Sequence, residues 1–427
     1  MLGFMNELKK TIKGRVLVQG DEGFDEARTP WHLSVDQPVR AVVEAADADD
    51  VAAVVSHARL HGLAVTAQAS GHGASGDTEG AILLRTRRLD GVEISDGVAR
   101  VGAGVLWGEV LAAASPLGLI GLAGSSPVVS VTGYTLGGGL SWFGRRHGWA
   151  SDSVRAFEAV DADGARVRVT AESDPELFWA LRGGGGSFAV VTALEFDLHP
   201  APFLYGGRVM WPADRAAAVF EAFKEVTAEA PDELTLWFGL LRFPGGPGFV
   251  ALDVAYLGEH PGDLLRRFDK IDGVVSDSRR PLPVAELGSI CDEPTDPSPG
   301  TARCELLTEL PDDVLFGEPM DPLISVQVRH LGGALARPVA GGGAAAPLAE
   351  QYSAYLLGLP SEATTARIAG LGAALVPYAS GRKPYSMLTA GERAASAFSG
   401  DALARLRDLK QARDPHGVIR ANFPVDA

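Results

Sequence analysis

Glycine is the residue whose placement most restricts this chain. Its 52 glycines gather in runs: Ser70-Gly71-His72-Gly73, Gly137-Gly138-Gly139 and Gly183-Gly184-Gly185-Gly186. A residue without Cβ lets backbone approach another group closely, so three such runs predict backbone wrapped on a ligand. The stretch 124–148 strengthens this, because its glycine run follows Thr132-Gly133-Tyr134-Thr135-Leu136 with almost no charge before Arg145.

With 427 residues the chain can bury a large core, and its length predicts two domains or one with a big insertion. Over 47–62, Val51, Val54, Val55 and Ala58 share one helical face, Asp47 or Asp49 can cap the start, and Gly62 ends it. An extended segment at 64–68 leads into the His72 loop, and a strand at 81–84 follows. Asp96-Gly97 and Asp163-Gly164 are hairpin turns between 92–95 and 98–101, and between 154–162 and 165–170. A helix at 175–181 passes through the last glycine run into a strand at 188–196. This half reads as α+β with antiparallel pairs. Beyond Pro200 and Pro202, strands at 204–211, 234–243, 249–256 and 324–330 accompany helices at 213–227 and 263–271, predicting an antiparallel sheet with helices on one face. The Gly/Ala/Pro tract 336–347 reads as a mobile surface loop. Residues 401–425, with a helix at 402–410, return to the composition of the first part.

Other patterns narrow the function. No apolar run nears the ~20 residues of a membrane-spanning helix, and residues 1–10 lack the order of a secretory signal, so a cytoplasmic location is expected. A net charge of −16 argues against nucleic acid as a partner. Cys291 and Cys304 sit in a Pro- and Asp-rich stretch and fit neither a disulfide framework nor a zinc site; they read as free thiols in a loop, with no metal expected. Gly102-Ala103-Gly104-Val105-Leu106-Trp107-Gly108 imitates a dinucleotide fingerprint, but has one residue too many and follows a hairpin strand.

A loop histidine alone is ordinarily just solvated. His72, however, lies between glycines whose amides can converge on a pyrophosphate. In order and spacing, residues 37–50 with Ala58, Ser70-Gly71-His72-Gly73, 131–139 with Trp142, Arg146-His147-Gly148, Asp152, 160–164, 174–186 and 188–192 form one pattern. On these residues the chain resembles the berberine bridge enzyme-like FAD-linked oxidases, part of the vanillyl-alcohol oxidase superfamily with its PCMH-type FAD-binding domain. The resemblance implies an FAD-binding domain over 1–199 (PCMH-type core 34–199), a substrate domain over 200–380, and a segment 381–427 that returns to the FAD domain.

It further implies FAD against Ala69, Ser70, Gly71, His72, Gly73, Ser126, Val129, Gly133, Tyr134, Gly137, Gly138, Val190 and Asn422. His72 would be joined to the flavin 8α-methyl carbon through a neutral imidazole nitrogen; the competing reading is a structural histidine beside unlinked FAD. Many relatives make a second link through a cysteine where this chain has Ser126, so a single covalent bond is expected. Val129 stands at the position that gates oxygen, and its small side chain resembles the oxidases, whereas Ser130 and Thr132 replace common glycines and narrow that pocket.

On the strand at 324–330, Gln327 and Arg329 share a face that looks onto the flavin ring in the family, making them substrate-contact candidates; the bland alternative is a surface strand carrying Arg329 to solvent. Tyr385 matches the tyrosine of a Tyr-x-Asn-Phe site, with Met387 replacing the asparagine, and could take the substrate proton if a cation such as Arg329 lowered its pKa. Ala402 replaces an asparagine and Glu350-Gln351 a histidine-arginine pair, while Arg405, Leu406, Lys410, Asp414-Pro415 and Arg420 match. The resemblance implies an oxidase that removes hydride from a hydroxyl or amine carbon of a small molecule (a sugar, alkaloid or other secondary metabolite) with O2 as acceptor. A dehydrogenase using a quinone or protein acceptor, and a flavoprotein that sequesters a redox-active drug, are the alternatives.

Overall fold

The computed structural model describes residues 2–317 and 319–426. Asp47 caps the helix Ala48–Leu60 by accepting from Asp49 N and Asp50 N, while buried Asp50 accepts from the amides of Lys13, Gly14 and Ala46. The helix buries Val51, Val54, Val55 and Ala58 against a sheet ordered Arg15–Val18, Ala41–Glu44, Ile82–Arg85, Val65–Gln68. Each fully buried valine contributes roughly 1.5–3 kcal/mol. Because this helix is a crossover, Ala41–Glu44 and Val65–Gln68 both pair in parallel with Ile82–Arg85. The two antiparallel hairpins expected in this half lie in the next sheet, and these parallel pairs add to them.

That second sheet runs Val92–Ser95, Val98–Gly102, Val190–Asp197, Val154–Val160, Arg166–Val169, all antiparallel. Asp96 and Gly97, at φ 51° and 77°, form its first tight turn. Gly102 and Gly104 lie where a Cβ would strike the carbonyls of Leu89 and Thr86, so this fingerprint-like glycine pair serves packing between the two sheets. Ala103, Val160, Ala162 and Val190 share one core with the first sheet.

Eight strands make the third sheet. Seven follow the order Ser276–Asp277, Tyr205–Pro212, Gly248–Tyr256, Leu234–Arg242, Leu323–His330, Tyr352–Gly358, Thr301–Leu307, and Arg280–Pro281 pairs with Tyr205–Pro212. One face buries Val209, Leu236, Phe238, Leu252 and Val328 under Phe220 and Phe223 of the helix Ala216–Glu229 and Ile368 and Leu371 of the helix Glu362–Leu375. The sequence reading missed Thr301–Leu307, Tyr352–Gly358 and Glu362–Leu375. Cys304 is therefore a strand residue rather than a loop residue, and both cysteines are buried and free. The helix expected at 263–271 is a tight turn, Gly262–Leu265, followed by the short helix Arg266–Asp269.

The C-terminal segment adds to the first sheet's edge, with Val65 N donating to Val418 O and Arg420 N to Val65 O. Buried Lys410 Nζ fixes it, donating to Asp414 Oδ2 (2.6 Å), Ser187 O (2.9 Å) and Ile419 O (2.6 Å). In the tract 336–347, residues 337–341 are exposed, as a surface loop would be, while residues 342–346 pack against the first half of the chain. Trp149 Nε1 donates to Ala346 O (3.1 Å), Arg182 to Gly341 O, and buried Ala344 N to Trp179 O (3.1 Å). Gly138 and Gly183 leave room for Ala345, Gly184 for Leu406, Gly185 for the Tyr385 ring, and Gly137 for Ser386. Two of the three glycine runs thus wrap protein at the positions their missing Cβ atoms would fill. No helix among the described residues is long and apolar enough to cross a membrane.

Candidate functional site

Strand Val65–Gln68 delivers the chain to the His72 loop. Gln68 anchors its base, with Nε2 donating to Gln37 Oε1 (2.7 Å) and Asn422 Oδ1 (3.0 Å), which brings Asn422 beside the loop. Gly71 has φ 82°, and a Cβ on it would lie 2.8 Å from Pro30 Cβ, so only glycine lets the loop press against Pro30. Trp31 N then donates to Ser70 O (2.9 Å), and the Trp31 ring stacks on His72 at 4.1 Å and 17°. Ser70 Oγ lies 2.8 Å from His72 Nδ1. In the tautomer that donates Nδ1–H to Ser70, Nε2 keeps its lone pair. That Nε2 is shielded from solvent and meets no partner. Burial, reinforced by nearby His32, depresses the His72 pKa to about 4, so the imidazole is neutral near pH 7.

A second group of candidate residues lies in the segment before the helix Val131–Leu136. It runs beside 105–108, with Gly108 N donating to Pro127 O (2.8 Å), Trp107 N to Val129 O (3.0 Å) and Val131 N to Val105 O (3.0 Å). Ser126 Oγ and Thr132 Oγ1 are shielded and unpartnered, like His72 Nε2. Each such group costs about 1–3 kcal/mol if left unpaired, and each can meet a polar ligand. Ala69, Ser70 and Val129 are half-buried; Gly73 and Gly133 are exposed, and a Cβ on either would meet nothing within 4 Å. These residues fit FAD: open glycine backbone for a flat polar cofactor, and a neutral histidine to hold it. Tyr134 turns aside, its hydroxyl donating to Leu122 O (3.0 Å), and burial raises its pKa. The Val190 side chain lies in the core, leaving its main chain for contact, and Gly137 and Gly138 face Ser386 and Trp149.

The third sheet carries the other candidate residues. Gln327 lies opposite Gly239 and Tyr355, and Arg329 opposite Trp237 and Ser353. Arg329 Nε and Nη2 donate to Gln327 Oε1 (3.2 and 2.9 Å). Its guanidinium sits 4.0 Å from the Trp237 ring centre and 5.0 Å from that of Tyr355. Trp237 stacks on Trp142 at 3.7 Å and 16°, so this face turns toward the first half of the chain rather than to solvent. The charge of Arg329 reaches Tyr134.

Tyr385 requires correction. Its hydroxyl donates to Phe423 O (2.7 Å), its ring backs Gly185, and burial raises its pKa with no contribution from Arg329. The tyrosine beside Arg329 is Tyr355, from a strand the sequence reading missed. Burial pushes that phenol up to about 12 although Arg329 pulls it down. Neither phenol is ionised near neutral pH, so neither is poised as a base. Trp31, Gln68, Trp237 and Tyr355 also escaped the sequence reading; Tyr355 alone carried a signal, the apolar strand pattern of 352–358.

Residues 39–170 match the family described as an FAD binding domain. Among curated relatives, the FAD-dependent monooxygenase tpcD of Cochliobolus heterostrophus is 35% identical over 57% of this chain and 48% of its own. The (R)-6-hydroxynicotine oxidase of Paenarthrobacter nicotinovorans is 32% identical over 47% of this chain and 45% of its own. The chain spans about half the length of the curated relatives it matches. Among solved structures, Physcomitrella patens BBE-like 1 superposes with a TM-score of 0.86 at 21% identity, covering 99% of this chain and 98% of the other. The 6-hydroxy-D-nicotine oxidase of Arthrobacter nicotinovorans gives 0.82 at 23% identity, covering 97% and 98%. The chain thus carries an FAD-binding domain at residues 39–170 and has the two-part fold of the berberine bridge enzyme-like structures it superposes on.

Proposed function

We propose that this protein is an FAD-dependent oxidoreductase that carries its flavin covalently on His72 and oxidises a small molecule, with O2 as electron acceptor. The observation that carries this reading is the His72 imidazole: neutral, stacked on Trp31, tied through Nδ1 to Ser70, and left with a shielded, unpartnered Nε2. FAD, once bound, supplies the two-electron acceptor. The chain's own contribution is to hold that cofactor at His72 and to present Gln327, Arg329 and Tyr355 from the opposite sheet. Ser126, a poor nucleophile where a cysteine would be needed, supports one covalent bond rather than two.

His72→Ala tests the reading. The variant is expected to bind FAD reversibly and to release all of it on acid denaturation; a variant that retains acid-stable flavin overturns the assignment. Half-buried Val129 supports O2 as acceptor. Val129→Leu is expected to slow reoxidation of the reduced protein by O2 by about tenfold while leaving reduction of a quinone dye unchanged. Equal loss of both rates removes that support.

A further inference from the structure

The third sheet carries a charge that no described residue neutralises by an ion pair. A guanidinium has five N–H donors, and Arg329 uses Nε and one N–H of Nη2, both on Gln327 Oε1. It forms no ion pair among the described residues. Arg208, on the same face of the same sheet, shows the contrast: Asp253 lies opposite it and binds it at 2.5 and 2.9 Å. Trp237 and Tyr355 hold Arg329 against their rings without neutralising it. The charge of Glu293 is felt at Tyr355, yet Glu293 makes no ion pair with Arg329.

Unused polar groups lie beside Arg329, and Gly239 leaves room there for a Cβ without a clash. Gly239 faces Gln327, and a Cβ on it would meet nothing closer than 3.9 Å. The Tyr355 hydroxyl and Gln327 Nε2 make no hydrogen bond within the described residues. Resting on the flavoenzyme reading above, we infer that the substrate carries a carboxylate, which the free edge of the Arg329 guanidinium binds over the floor left by Gly239. A planar fork matches a carboxylate in two parallel hydrogen bonds, and such charge-assisted pairs are the stronger kind. Tyr355, protonated near neutral pH, and the Gln327 amide are donors to the same end of the molecule. An anion there offsets the desolvation of a cation that forms no ion pair among the described residues.

The test compares benzoate with benzamide, alike in shape and different in charge, titrated into the flavin-loaded protein by calorimetry and by the shift of flavin absorption. Benzoate is expected to bind at least about tenfold more tightly than benzamide. Arg329→Gln should weaken benzoate about tenfold to a hundredfold and leave benzamide unchanged. Arg329→Lys, which keeps the charge, should retain the preference for benzoate, and Gly239→Leu should weaken both ligands. Equal binding of the two compounds, no binding of either, or unchanged benzoate affinity in Arg329→Gln overturns the inference. A shift in flavin potential in that variant with intact benzoate affinity assigns the charge to the cofactor and also overturns it. Absence of flavin from the purified protein defeats the underlying reading instead, and is seen before any titration begins.

Discussion

His72 is fixed from two sides before any cofactor arrives, by the Trp31 ring and by Ser70. With Nδ1 engaged, Nε2 is the nitrogen left to form a bond, so the flavin linkage is expected at Nε2. Ser70→Ala frees the ring to rotate and should slow flavin attachment about tenfold, followed as acid-stable flavin against time; an unchanged rate contradicts the positioning role. A second half-buried imidazole, His147, stacks at 4.0 Å on His199, whose Nε2 lies 2.9 Å from Ser153 Oγ. Burial, then the charges of His199 and Arg146, hold the His147 pKa at about 4. The unfolded chain takes up this proton near pH 6.5 and the folded chain only near 4. The stability is therefore full above pH 6.5 and is lost as pH falls toward 4, by at most about 3 kcal/mol. Thermal unfolding across that window should show the fall, and His147→Gln should lessen it.

Buried ionic contacts tie the elements together where propensity does not. Lys410 and Asp414 are nearly unexposed and hold the helix Gly400–Arg413 to Ser187 and Ile419. Lys410→Met strands the Asp414 carboxylate and should destabilise the protein by about 3–5 kcal/mol, read from denaturant unfolding. The helix Ala48–Leu60 was legible because its cap and its apolar face are written locally in Asp47 and Val51–Ala58. Strand Thr301–Leu307 was not, because it carries Arg303 and Glu305, and Glu305 is buried only by virtue of Arg303 beside it and Lys383 from far along the chain. The packed part of the tract 336–347 was not legible for a related reason. Its Gly and Ala residues look unstructured, and the groups that order it, Trp149 and Arg182, come from elsewhere in the chain.

At the scale of the whole molecule, buried Arg145 helps seat the third sheet against the first half of the chain. Buried Arg145 donates from Nε to Leu234 O (2.8 Å), from Nη2 to Ala230 O (3.0 Å), and from Nη1 to Leu331 O. The Trp142–Trp237 stack lies on the same boundary. Arg145→Ala strands these carbonyls and should cost about 3 kcal/mol or more, with early proteolytic release of the third sheet; cleavage at the wild-type rate contradicts this. The glycine-flanked loop that carries His72 was legible as a spaced motif. Which tyrosine borders Arg329 was not, because it depends on strand register rather than on local pattern. The central claim, that His72 carries FAD, is tested most directly by acid-denaturing the purified protein and recording where the yellow chromophore goes. The account predicts colour that precipitates with the polypeptide and an intact mass raised by one FAD. Colour released to the supernatant contradicts the bond at His72, and a protein still colourless after FAD is added contradicts the account as a whole.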